Sequence, residues 1–207
     1  MAAHVLGHLI PVRWFGMHPL IIVAIVILLL WSGSIHSEVV AADDIHHKFI
    51  QSGNHYMFYG TTSFATSDPN CLIHILYDFQ HLRKINILPD SIVLLRKGEY
   101  WYEVAYHYRN LFFESRATYR RAWEQAERRV TFEMVRCEQR GLHLPKIVSS
   151  TGYYEIKAEE EGLGVIYFEE GEVADHLLKE IYFQWVEKEA FKFLHRLKDY
   201  VLSLIHI

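Results

Sequence analysis

Between Ser91 and Glu170 the chain carries six strand-like segments in succession, each parted from the next by a short turn. The segments run from Ser91 to Arg96, Glu99 to Tyr108, Leu111 to Trp123, Arg129 to Gln139, Ile147 to Lys157 and Leu163 to about Glu170. They are rich in aromatic and β-branched residues. The breaks are Lys97-Gly98, Arg109-Asn110, Glu124 to Glu127, Arg140 to Pro145 and Glu159 to Gly162. Connections this short leave no room for crossover helices, so neighbouring strands must run antiparallel as a meander. A long helix is expected next, from about Asp175 to Leu202. Its Val186, Ala190, Phe193, Leu197 and Val201 recur at spacings of three and four and form one apolar stripe. A sheet with one apolar face and a helix with one apolar stripe bury those surfaces against each other.

Upstream, His55 to Thr66 reads as a further strand, halted by Ser67-Asp68-Pro69. Asp68 suits an N-cap and Pro69 the first helical position. The helix that follows presents Leu72, Ile73, Ile75, Leu76 and Phe79, with Leu82 and Ile85 beyond. Asp43 to Gln51 reads as a short helix or linker. The order is strand, helix, six strands, long helix: an α+β class with about seven strands.

Residues 1 to 42 are assigned outside the domain, which spans 43 to 207. Arg13 is the only fixed charge among the first eighteen residues, and an apolar run from Pro19 to Trp31 follows. That run is short for a membrane span and suits the core of a signal peptide. Ser32-Gly33-Ser34 and Val39-Val40-Ala41 offer cleavage sites, and an uncleaved anchor is the alternative. Both readings place the domain outside the cytoplasm, exported or periplasmic, with membrane association through residues 19 to 31.

The net charge of -4, with both signs interspersed, excludes a basic stripe of the kind nucleic acid requires. The 14 histidines are scattered, with no metal-binding spacing, and His46-His47 reads as surface because adjacent side chains diverge. Neither a metal nor a cofactor is implied. Cys71 and Cys137 read as small buried hydrophobes, with a disulfide as the alternative in an exported protein. No nucleophile motif or phosphate loop is present, so no catalytic residue is assigned.

The stretch "TTSFATSDPNCLIHILYDFQHLRKINIL", with its Tyr77-Asp78-Phe79 and the Leu82 to Ile85 step, resembles the opening of START-like and polyketide cyclase/dehydrase domains. "VTFEMVRCEQ" resembles one of their strands and "YYEIKAEEEGLGVIYFEEGEV" their last hairpin. The resemblance spans roughly residues 54 to 202. It implies the helix-grip arrangement, a curved antiparallel sheet around a long C-terminal helix. It also implies an apolar or aromatic ligand, such as a lipid or isoprenoid, held between them. One fold hosts many activities, so the resemblance does not name the ligand.

Strand alternation gives the expected inner face. It comprises Tyr100, Tyr102, Val104, Tyr106 and Tyr108, then Phe113, Ser115, Ala117 and Tyr119, then Val130, Phe132 and Met134. Tyr154, Ile156, Ile166 and Phe168 complete it, with Tyr182, Trp185 and Val186 of the long helix as cover. The ligand-binding candidates are Tyr102, Tyr106, Phe132, Met134, Tyr154, Phe168 and Trp185. The same residues also suit a packed core; their richness in tyrosine, whose hydroxyl needs a partner, favours a cavity with a few polar groups. Glu103, Glu114, Arg116, Glu133, Arg136, Glu155 and Glu169 are expected to face water, as polar residues on a one-sided sheet do. Three functions compete: a binder or carrier of a hydrophobic molecule, a cyclase/dehydratase-type enzyme using an inward Glu114, Arg116 or Glu133, and a tethered assembly module without a ligand.

Overall fold

The computed structural model describes residues 45–66, 68–109, 113–141 and 144–205. The segment 1–42, with its apolar run, lies outside the described residues. No helix among the described residues is long and apolar enough to cross a membrane.

Eight strands form one antiparallel sheet in the order β1-β2-β8-β7-β6-β5-β4-β3. They are β1 (His46–Ser52), β2 (His55–Phe64), β3 (Ser91–Lys97), β4 (Trp101–Arg109), β5 (Phe113–Glu124), β6 (Arg129–Gly141), β7 (Ile147–Glu159) and β8 (Gly162–Val173). The meander expected from the short turns is present from β3 to β8. Strand β1 corrects the helix-or-linker reading of Asp43 to Gln51. It pairs along its whole length with β2, from His46↔Thr61 to Ser52↔His55. The two-residue turn between them rests on Gly53, whose φ of 62° a glycine adopts without strain.

Between β2 and β3 lie two helices, α1 (Pro69–Tyr77) and α2 (Phe79–Ile85). The side chain of Asp68 accepts from the Asn70 N–H at 2.9 Å, with Pro69 beginning the helix as its sequence position requires. Asp78 then divides the apolar stretch in two. Its N–H donates to His74 O at 2.8 Å to close α1, while its side chain accepts from the Gln80 N–H at 2.7 Å to open α2.

The long helix α3 (Lys179–Ile205) lies across the face of the sheet. Phe183, Leu194, Leu197 and Val201 are wholly enclosed, and Phe193 packs on Tyr154 and Tyr167 with ring centroids 5.5 Å away in both cases. Each enclosed side chain of this size contributes about 1.5–3 kcal/mol. The close approach depends on Gly60: a Cβ there would lie 2.4 Å from Leu194 Cδ1.

Candidate functional site

Cross-strand register fixes which residues face α3. One row reads Tyr102↔Arg121↔Phe132↔Gly152↔Glu169↔Phe58 across six neighbouring strands, β4 to β8 and then β2. The next includes Val104↔Tyr119↔Met134. Five of the seven candidate ligand residues, Tyr102, Tyr106, Phe132, Met134 and Tyr154, therefore lie on the inner face. Tyr106 and Tyr119 meet edge to face at 5.6 Å, and Phe132 and Tyr154 pack at 5.5 Å. Gly152 makes room for this aromatic band, since a Cβ there would lie 2.4 Å from Phe132 Cζ.

Phe168 and Trp185 are not part of it. Phe168 lies on the outer face, stacked on Tyr153 at 5.2 Å, and Ile166 shares that face. The inward residues of β8 are Leu163, Val165, Tyr167 and Glu169, whose cross-strand partners include inward Tyr154 and Gly152. Residues 163 to 167 of β8 are buried on both faces, so hydrophobicity does not alternate there and parity cannot be read from it. Trp185 is 45% exposed, off the α3 stripe, and packs on the Tyr182 ring at 5.8 Å.

A bulge redirects the far half of β6. Thr118 pairs with Arg136 but Tyr119 with Met134, so Val135 is the extra residue and inward parity passes to Cys137 and Gln139. The Cys137 Sγ lies 3.9 Å from the inward Ser115 Oγ. Both cysteines are free thiols and partly buried, so no disulfide joins them. Pairing of β6 with β7 runs from Arg129↔Glu155 to Glu133↔Thr151. Beyond it the two strands separate and each keeps only its other neighbour. Met134, Cys137 and Ser150 border this split in the sheet.

Among the described residues of the sheet, two charged side chains, Arg121 and Glu169, face inward, and neither is among the three acid-base candidates. Glu114, Arg116 and Glu133 are exposed on the outer face, which removes the support that their inward placement would have given to catalysis. Glu103 is also on the outer face, but it is buried rather than solvated, with Arg96 at 2.6 Å and Arg120 at 2.9 Å. The expectation that Glu169 faces water is overturned by the β8 register. Its carboxyl accepts from the hydroxyls of Tyr56 at 2.9 Å, Ser150 at 3.2 Å and Tyr167. Burial raises its pKa, and the three hydroxyls oppose that rise only in part. Arg121, 4% exposed, extends between the rings of Tyr154 and Phe132, 5.4 and 5.9 Å from their centroids. Its Nη2 donates to Leu76 O, at the end of α1, at 2.8 Å. The inward parity of β5, followed past Tyr119, was the signal for Arg121.

Around these poles Tyr108, Tyr119, Met134, Glu169 and Tyr182 are only half-buried. Yet burial is the largest influence on every titratable one of them, driving the hydroxyls of Tyr108, Tyr119 and Tyr182 far above the ordinary tyrosine range. These side chains keep some accessible surface although crowded by their neighbours. Burial likewise pushes the Tyr154 hydroxyl up to about 12. A depression of ≈ 390 Å³ lies against Tyr56, Met57, Thr151, Glu170 and Glu172, at the β2-β8-β7 side of the sheet.

No protein-family model and no curated protein matches the chain. Solved structures do. An aromatase/cyclase from Streptomyces sp. R1128 superposes with a TM-score of 0.60 at 12% identity, over 77% of this chain and 96% of that one. A STAR-related lipid transfer protein fragment from Xanthomonas axonopodis gives 0.58 at 15%, over 79% and 96%. A START superfamily protein from Mycobacterium smegmatis gives 0.54 at 12%, over 72% and 98%. At such identities the likeness is one of architecture. The eight-stranded antiparallel sheet closed by a C-terminal helix is thus the helix-grip α+β fold of START-type proteins.

Proposed function

We propose that this chain binds or carries a hydrophobic small molecule, held between the inner face of the sheet and α3, and that it does so outside the cytoplasm. The observation that carries this reading is the half-buried wall of Tyr108, Tyr119, Met134 and Tyr182 inside the fold, next to the split between β6 and β7. Partial accessibility of large aromatic side chains between sheet and helix supports an opening there rather than a fully close-packed core. Related architecture in a lipid transfer protein and an aromatase/cyclase supports the same reading. The apolar run at residues 19 to 31 supports export.

Native mass spectrometry of protein extracted from membranes tests it. A stoichiometric apolar adduct is expected, and re-adding the extracted molecule to stripped protein should raise the melting temperature. Met134→Arg should abolish the adduct, because an unpaired charge would face an apolar space; circular dichroism confirms that the variant is folded. A folded wild-type protein that never retains an adduct refutes the reading.

Glu169 favours a second reading, an enzyme of the cyclase/dehydratase kind. A desolvated carboxyl whose pKa is raised by burial is a candidate for general acid–base work. Glu169→Gln separates the two: a carrier retains its ligand, whereas an enzyme binds but no longer turns over.

A further inference from the structure

The Arg121 pole lacks a counter-ion. Among the described residues no carboxylate forms an ion pair with it. Its Nη2 donates to Leu76 O, and the Tyr154 hydroxyl also meets the guanidinium, but both partners are neutral and supply no counter-charge. The Nε is buried without a partner. So are the hydroxyls of Tyr102, its cross-strand neighbour, and of Tyr77, whose ring lies 5.4 Å from that of Tyr102. Two orphan hydroxyls therefore gather beside an enclosed cation whose own Nε is unpartnered, and each unmade hydrogen bond there is costly. The only inward acid of the same row, Glu169, stands beyond Phe132 and Gly152 and already accepts from Tyr56, Tyr167 and Ser150.

From this juxtaposition we infer that Arg121, with Tyr102 and Tyr77, forms an anion subsite, and that the hydrophobic ligand is an amphipathic monocarboxylate whose head group lies at Arg121. The inference rests on the proposed binding function and adds the ligand's class to it. A carboxylate matches the site in charge, one anion for one cation. It also matches in shape, because two oxygens fit the planar guanidinium fork while their remaining lone pairs accept from tyrosine hydroxyls. An alcohol or ester would meet the hydroxyls but leave the cation uncompensated. The apolar body of the ligand would follow the aromatic band of Phe132, Tyr154 and Tyr119 towards the split between β6 and β7.

The test compares dodecanoate with dodecan-1-ol, equal in chain length and different in head group, by calorimetric titration into delipidated full-length protein at pH 7.5. Wild type should bind the acid at least tenfold more tightly, which is about 1.4 kcal/mol. Arg121→Met, which keeps the apolar stem, should erase that preference and leave alcohol binding in place. Arg121→Lys should restore part of it. Should Arg121→Met fail to fold, Tyr102→Phe removes one donor with little change of packing and should weaken the acid several-fold without affecting the alcohol. Equal affinity of wild type for acid and alcohol overturns the anion subsite and leaves the binding function standing. A preference that survives both Arg121→Met and Tyr102→Phe overturns the assignment to these residues. Binding of neither compound overturns the apolar chamber and the subsite together.

Discussion

Phe193→Ala measures how strongly α3 is fastened to the sheet. Phe193 is 6% exposed, and its ring sits against Tyr154 and Tyr167. Truncation removes the ring's transfer free energy and two aromatic contacts, and it leaves a cavity that the meander beneath can only partly close. Buried Phe→Ala changes cost about 3–5 kcal/mol. For a domain of this size each kcal/mol lowers Tm by roughly 2–4 °C, so a fall of about 6–20 °C is expected. Urea unfolding followed by circular dichroism gives the free energy directly, with an unchanged m-value as the check that only stability has altered. Phe191→Ala is the internal control. Its ring is only partly buried, between His47 and His195 at 4.5 Å from each, and its loss should cost less than half as much. A Phe193→Ala loss below about 1 kcal/mol would refute the reasoning, because it would mean that the α3 stripe is not the main cover of the sheet.

Two further outcomes are expected. Because burial raises the pKa of Glu169, the folded state holds a proton that the unfolded state has released. Stability should therefore fall as pH rises from the ordinary glutamate range, about 4.3, through the raised native value, and Glu169→Gln should flatten that slope in urea titrations at successive pH values. An unchanged slope would show that Glu169 titrates normally. Fusing residues 1 to 42 to a reporter active only outside the cytoplasm should give activity, and an expressed but silent fusion would end the export proposal.

Much of the architecture was legible because it follows from local chemistry. The turns between strands, the Asp68-Pro69 helix start and the stripe from Val186 to Val201 each act within a few residues. The first strand was missed for the opposite reason. Residues 46 to 52 carry no buried alternation of their own and are held by backbone pairing to β2, so only the partner reveals them. The inward parity of β5 and the first half of β6 was readable because one face of each is largely wet, and that of β4 because its large aromatic residues alternate with smaller or charged ones even though both faces are covered. It failed at Val135, where one extra residue reverses the alternation, and along β8, where both faces are covered. Trp185 failed differently: helical spacing places it beside the stripe rather than on it, and it is 45% exposed.

The two residues of greatest chemical interest were hidden by the same rule that found the core. A charged side chain in a strand is ordinarily a sign of the solvent face, and Glu169 fits that rule until the β8 register is known. Arg121 and Glu169 stand in one cross-strand row, yet they do not neutralise each other: Phe132 lies between them over the space that Gly152 leaves. A core shaped for stability alone would pair such charges or replace them with apolar side chains, which is often neutral or stabilising. Here the carboxyl accepts from three hydroxyls, whereas the cation keeps a buried Nε without a partner. That asymmetry separates a structural carboxyl from a cation still in need of a partner, and it is why the ligand class is argued from Arg121 rather than from the aromatic wall around it.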